Sequence, residues 1–176
     1  MDHQLTHHLT KFSQKEFDII LICDSLLSPG NMGSLFRTAD CFGVKCIFLV
    51  GVTSLVLTPR LKKAARSTEN NTDHYCLETI EEALQHPLMK DFKPFCLEIT
   101  TSSQPLEKKV FEGDRKIALI IGTEKFGIST KTLSLIPNHI HIEMYGKNSS
   151  MNVINATNVA LFQITQLLKV LHNGKS

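Results

Sequence analysis

Along the 176 residues, short continuous apolar runs alternate with segments whose apolar residues recur every three or four positions. "FDIILICD" (17–24), "KCIFLV" (45–50), "PFCLEIT" (94–100), "KIALIIG" (116–122) and "HIHIEM" (139–144) belong to the first kind and predict strands. Met32, Leu35, Phe36, Ala39 and Phe42 recur at helical spacing after the first of them, and Gly43 fits a helix C-cap. Thr58 and Pro59 open "TPRLKKAAR" (58–66) as N-cap and first-turn proline, which places a second helix after the second strand. "LETIEEALQH" (77–86) predicts a third helix, and Ser129 is a good N-cap for a short one over "TKTLSLI". A long closing helix covers 152–171 with an apolar stripe of Val153, Ala156, Ala160, Ile164, Leu167, Leu168 and Leu171, and Asn173 and Gly174 end it. Strands that read as nearly unbroken apolar runs between helices imply a parallel sheet covered on both faces. The expectation is one α/β domain over 17–174, preceded by an N-terminal extension, 1–16.

Composition narrows the class. Hydrophobic residues at 42% and charged residues at 20% describe a globular protein that is neither disordered nor membrane-embedded. No apolar run reaches the roughly 18 residues of a membrane span, and the opening "MDHQLTHHLTKFSQKEF" lacks a signal core, so a cytoplasmic protein with no membrane partner is expected. Cys23, Cys41, Cys46, Cys76 and Cys96 are scattered, form no C-x-x-C pair and read as reduced core thiols. His3, His7 and His8 have no Cys or carboxylate beside them, so no metal site is assigned. The net charge of +2 favours no partner, which leaves local clustering to decide. "RLKKAAR" gathers Arg60, Lys62, Lys63 and Arg66 on one short helix, with Lys62 and Arg66 on a single face. A solvated helix face is the plain reading of any one of them, and phosphate contact is the functional one.

In open parallel sheets, ligands bind outside the carboxyl ends of the strands. Three loops there are unlike ordinary connections: the one carrying Asn31, Gly33 and Arg37, then "GTEKFGIS" (122–129), then "YGKNSSMNVINATN" (145–158). Gly122 and Gly127 are spaced as in a phosphate loop, but Ile128 and Ser129 follow instead of Lys and Ser/Thr, and no G-x-G-x-x-G occurs anywhere. Nucleotide-binding fingerprints are therefore absent. Taken singly, Arg37 is a solvated helix residue, and Ser149, Ser150 and Asn152 are candidate caps. Asn152, Asn155 and Asn158 are less easily dismissed, because asparagine is a mediocre helix former.

Taken together, N-x-G-x-x-x-R-T-A (31–39), G-x-E-x-x-G-I-S (122–129) and I-x-M-x-G-x-x-S-S-M-N-V (142–153) resemble the three signature motifs of the SpoU/TrmH family of RNA ribose 2′-O-methyltransferases, in the SPOUT superfamily. The similarity runs from about residue 17 to 171. It implies an α/β parallel-sheet fold with a deep C-terminal trefoil knot and S-adenosylmethionine as cofactor. It also implies tRNA or rRNA as substrate and a homodimer as the assembly. By the same resemblance Gly122, Ile142 and Met151 match cofactor-contacting positions, with Thr100 as a fourth candidate. Arg37 and Asn31 match the catalytic part of the first motif, Glu124 that of the second, and Ser150 and Asn152 that of the third. Thr123 and Lys125 depart from the usual G-N-E-G, and Met151 replaces the leucine of S-L-N, with the functional residue types kept. The implied role of Glu124 is to position Arg37 or Asn152. A catalytically silent RNA-binding module retaining the knotted fold is the alternative, and the joint presence of Arg37, Glu124 and Asn152 argues against it.

Overall fold

The structure, a computed structural model, describes residues 3, 10, 12–25, 27–106, 111, 113–148 and 150–170, and the backbone of 171–173. Its order is β1 (Phe17–Asp24), α1 (Pro29–Phe42), β2 (Val44–Val50), α2 (Pro59–Ala65), β3 (Asp73–Leu77), α3 (Ile80–Gln85), β4 (Lys93–Leu97), β5 (Gln104–Pro105), β6 (Ile117–Ile121), α4 (Thr130–Leu135), β7 (His139–His141) and α5 (Val153–Asn173). Seven strands form one sheet in the order β3-β2-β1-β6-β4-β7-β5, with every pairing parallel. The chain moves outward from β1 to β3 and then crosses to the far side, so the order reverses at β1 and β6.

Alternation along the central strand divides the core. Ile19, Leu21 and Cys23 of β1 face a cluster with Leu35 and Phe36 of α1, Leu61 of α2, and Leu161, Ile164 and Leu168 of α5. Ile20 and Ile22 face Phe48, Ile80, Ala83 and Ile136 on the other side. A strand buried on both faces is apolar through its centre, which is why residues 19–23 of β1 and the whole of β6 read as unbroken runs, while the buried Asp24 at the end of β1 accepts from Ser129 N. Gly43 closes α1 in the left-handed region, and Thr58 Oγ1 accepts from Leu61 N at the start of α2, both as expected.

Several boundaries differ from the sequence expectation. The segment 73–77 is a strand, and the helix placed at 77 begins at Ile80, capped by Thr79. β3 is an edge strand whose first residues, Asp73 and His74, are exposed, so it carries no apolar run. Its helix has a capping arrangement instead, with Glu82 N donating to Thr79 Oγ1 and Glu78 N donating to the Glu82 carboxylate. β4 ends at Leu97 rather than 100, and β7 at His141 rather than 144. Of the cysteines, Cys23, Cys46 and Cys96 are buried, whereas Cys41 is exposed and does not belong to the core. Burial pushes the Cys46 and Cys96 thiols up to about 12. Among the described residues no helix is long and apolar enough to cross a membrane. Gly174, Ser149, His7 and His8 lie outside the described residues.

Candidate active site

Ser28 caps α1, its hydroxyl facing Asn31 N at 3.5 Å, and Pro29 occupies the first turn. One turn further, Gly33 has no room for a side chain: a Cβ there would lie 2.3 Å from the Leu61 carbonyl oxygen and 2.8 Å from Ala64 Cβ. Its hydrogen lets the backbones of α1 and α2 touch. The consequence is electrostatic. Arg37 on α1 and Arg60, Lys63 and Arg66 on and after α2 line a single groove of about 490 Å³ together with Asn31 and Ser34. None of these cations takes part in an ion pair among the described residues, where the five salt bridges lie elsewhere. Like charges held together without counterions favour an anionic visitor.

Across the reversal point, β6 leads into a closed turn. Thr123 and Gly127 exchange both backbone hydrogen bonds at 3.0 Å, and Phe126 N donates to Thr123 Oγ1 at 3.1 Å. Gly122 stacks on this turn so closely that a Cβ would lie 2.0 Å from the Gly127 carbonyl carbon. Behind the turn lies a cavity of about 390 Å³, bounded by β4, β6 and β7 at their carboxyl ends and by the start of α5. Its walls include Ile121, Ile142, Met144, Met151 and Val153, and Glu98, Glu124 and His141 are its ionisable members. Glu98 is fixed by Ile99 N and Ile128 N, each donating to its carboxylate at 3.0 Å.

Glu124 joins the two sites. It lines the cavity, yet its Oε1 accepts from Ser28 Oγ at 2.9 Å and from Asn31 Nδ2 of the groove. Burial pushes its carboxyl up, but hydrogen bonds from its own backbone and from the Ser28 and Asn31 side chains outweigh that and leave it below the usual carboxylate range. It is therefore an anion at neutral pH.

Gly122, Glu124, Ile142, Ser150 and Met151 line the cavity, and Asn31, Arg37, Arg60, Lys63 and Arg66 the groove. Three residues stand elsewhere. Thr100 lies outside the cavity lining, its hydroxyl 3.0 Å from His139 Nδ1, and Glu98 and Ile99 form the wall at that point. Lys62 does not line the groove: the face shared by α2 cations is that of Arg60 and Lys63, because α2 packs through Leu61 and Ala65. Asn152 caps α5, its Oδ1 accepting from Ile154 N at 2.9 Å and Asn155 N at 3.4 Å. Glu124 holds Asn31, where Arg37 or Asn152 was expected. Asn158 also has a partner, accepting from Thr38 of α1 at 2.9 Å. Sequence reasoning missed Glu98 and Ser28. The first was hidden inside an overlong strand; the second was legible as a Ser-Pro helix start.

Comparison with known proteins follows the same boundaries. A TrmH-family tRNA/rRNA methyltransferase sequence from Staphylococcus epidermidis is 24% identical over 159 residues, 88% of this chain and 63% of that one. The 23S rRNA (guanosine-2′-O-)-methyltransferase RlmB of Acinetobacter baylyi is 26% identical over 146 residues, 82% of this chain and 58% of that one. The chain thus spans about three fifths of the length of these relatives. The A. aeolicus TrmH/SpoU tRNA modifying enzyme superposes with a TM-score of 0.77 at 18% identity, over 90% of this chain and 79% of that one. The SpoU methyltransferase AviRb from Streptomyces viridochromogenes, solved in complex with the cofactor AdoMet, gives 0.73 at 21% identity, over 88% and 58%. Both share the parallel-sheet fold. The sequence pattern of the SpoU rRNA Methylase family matches residues 18–162, and with three motifs meeting at one sheet end the chain belongs to that family.

Proposed function

We propose that this protein transfers a methyl group from S-adenosylmethionine to a ribose 2′-hydroxyl of tRNA or rRNA. One observation carries the reading: Glu124 lines an apolar cavity and holds Asn31 of a cationic groove, so a small-molecule pocket and a phosphate-attracting surface meet at one carboxylate. The relative named as a guanosine-2′-O-methyltransferase supports the choice of hydroxyl.

The cavity fits the donor. About 390 Å³ lies within the usual range of ligand pockets, its walls are aliphatic and thioether side chains, and its carboxylates, Glu98 and Glu124, suit a cationic centre. Gly122, Ile142 and Met151 would hold it, with Glu98 and Ile99 in the place first assigned to Thr100. When bound, the donor supplies a methyl carbon already activated by its sulfonium. The chain's own task is alignment and charge stabilisation. Arg37, with Arg60, Lys63 and Arg66, binds the phosphate beside the target ribose, and Arg37 stabilises the negative charge that develops on the 2′-oxygen. A guanidinium does not normally give up its proton, so the hydroxyl proton leaves to the phosphate or to water. Glu124 anchors Asn31 and the start of α1, while Ser150 orients ribose and Asn152 fixes the first turn of α5.

Two architectural features belong to the same proposal. β7 pairs with β4 on one side and β5 on the other, and β4 and β5 are joined only by 98–103. A strand inserted beneath so short a connection supports the trefoil knot, one of the rare exceptions to unthreaded topology. A homodimer is supported by α5, whose Val159, Phe162 and Val170 remain exposed beyond its buried Ala160, Ile164 and Leu168.

Calorimetric titration with S-adenosylmethionine, followed by mapping of 2′-O-methyl sites in total RNA with and without the protein, tests the function. Donor binding together with sites that vanish with the protein is expected. Binding of RNA with no donor affinity would identify the silent module instead.

A further inference from the structure

The turn that closes the cavity carries a residue no part of this chemistry uses. Phe126 is 79% exposed, an unusual position for a large aromatic side chain on a turn otherwise built of polar residues and glycine. It is not loosely held. The paired backbone bonds of Thr123 and Gly127 and the Thr123 hydroxyl accepting Phe126 N fix the backbone from which the ring projects. Thr123, Glu124 and Gly127 line the cavity whereas Phe126 does not, so the ring stands on the outer side of the same turn. Lys125 Nζ lies 5.0 Å from the ring centroid, and Glu124 next to it is bonded to Asn31 of the cationic groove. An exposed ring, a cation over it and a phosphate-attracting groove close by form the combination that binds an unstacked nucleotide.

We infer that Phe126 is a stacking platform for an RNA base next to the methylated ribose, with Lys125 turning to the adjoining phosphate. Stacking is tolerant of base identity, so the platform contributes affinity and splays the strand at the target rather than reading its sequence. The ring pre-exists on a rigid turn, which keeps the ordering cost of binding low. The inference rests on the RNA-methyltransferase reading, and the closing experiment separates the two.

The chain contains no tryptophan, so Phe126→Trp installs a single reporter at the platform. Titration with fragmented single-stranded cellular RNA is expected to quench its fluorescence, saturating at the RNA concentration that saturates wild-type binding. Phe126→Ala is expected to weaken RNA binding by about 5- to 150-fold while S-adenosylmethionine affinity and thermal midpoint stay at wild-type values, and Phe126→Tyr to restore binding. Wild-type affinity in Phe126→Ala, or indole fluorescence that stays unquenched when the Phe126→Trp protein is saturated with RNA, overturns the platform and leaves the methyltransferase reading standing. Dissociation of Phe126→Ala into monomers assigns the ring to a contact between copies and equally overturns it. A wild-type protein that binds no RNA overturns the underlying reading and the platform with it.

Discussion

Arg37 and Glu124 show how little a single residue type says until its neighbours are known. Arg37 is exposed and has no ion-pair partner among the described residues, the profile of an ordinary surface arginine, yet it shares a groove with Arg60, Lys63 and Arg66. If it stabilises charge on the 2′-oxygen, Arg37→Ala lowers methyl transfer by about 100- to 1000-fold with cofactor affinity unchanged. Arg37→Lys remains poor, because a point charge does not reproduce the planar fork. Single-turnover rates alongside donor titrations check both; a parallel collapse of donor affinity would move Arg37 to the cofactor side. Glu124 carries a pH signature. Its folded pKa lies below the ordinary value, so its hydrogen bonds contribute fully above the unfolded carboxylate pKa and are lost as pH falls through the folded one. Activity of the wild type is expected to fall on that acid limb, and Glu124→Gln, already uncharged, to lack this part of the decline. Activity against pH for the two proteins is the measurement.

At the scale of elements, the contact between α1 and α2 makes the groove, and Gly33 makes the contact. A methyl group at 33 must displace the α2 backbone, since the obstructing atom is the Leu61 carbonyl oxygen and not a flexible side chain. Gly33→Ala is therefore expected to cost about 1–3 kcal/mol, the usual penalty of overpacking. It also spreads the four cations of the groove and weakens RNA binding, although residue 33 touches no ligand. Chemical denaturation together with RNA titration reads both effects, and an unchanged RNA affinity at reduced stability would separate helix packing from groove shape. α2 itself was legible from Thr58 and Pro59, and α5 from its stripe. β3 and the true start of α3 were not read, because an edge strand needs an apolar residue only on its covered positions.

For the whole molecule, assembly decides whether one copy is sufficient. Phe162 at 57% and Val170 at 66% exposure are costly for a helix in solution and inexpensive in an interface. A twofold contact through α5 predicts a sedimenting species near twice 19.7 kDa at micromolar concentration. If Arg37 of one copy reaches ribose beside the donor held by the other, mixing Arg37→Ala and Asn152→Ala chains restores part of the activity. A monomer that methylates RNA at the full rate would exclude shared sites.

The periodicity of the sequence by itself determined the α/β class, the parallel sheet, most helices and the three loops at the carboxyl ends, because burial on both faces and helix capping are written in local residue order. The motif resemblance singled out Gly122, Ile142 and Met151, which line the cavity, and Arg37, which lies on α1 and lines the groove. The partners were decided only in three dimensions. Asn31 and Glu124 are 93 residues apart in the chain, and their bond exists because β6 inserts beside β1. The Asn152 cap was among the candidates that local order offered, but Thr100 as a partner of His139 and Lys62 as a residue outside the groove follow from packing that no spacing rule contains. Local sequence selects the element; which side chains meet is set by long-range strand order and by the one glycine that lets two helices touch.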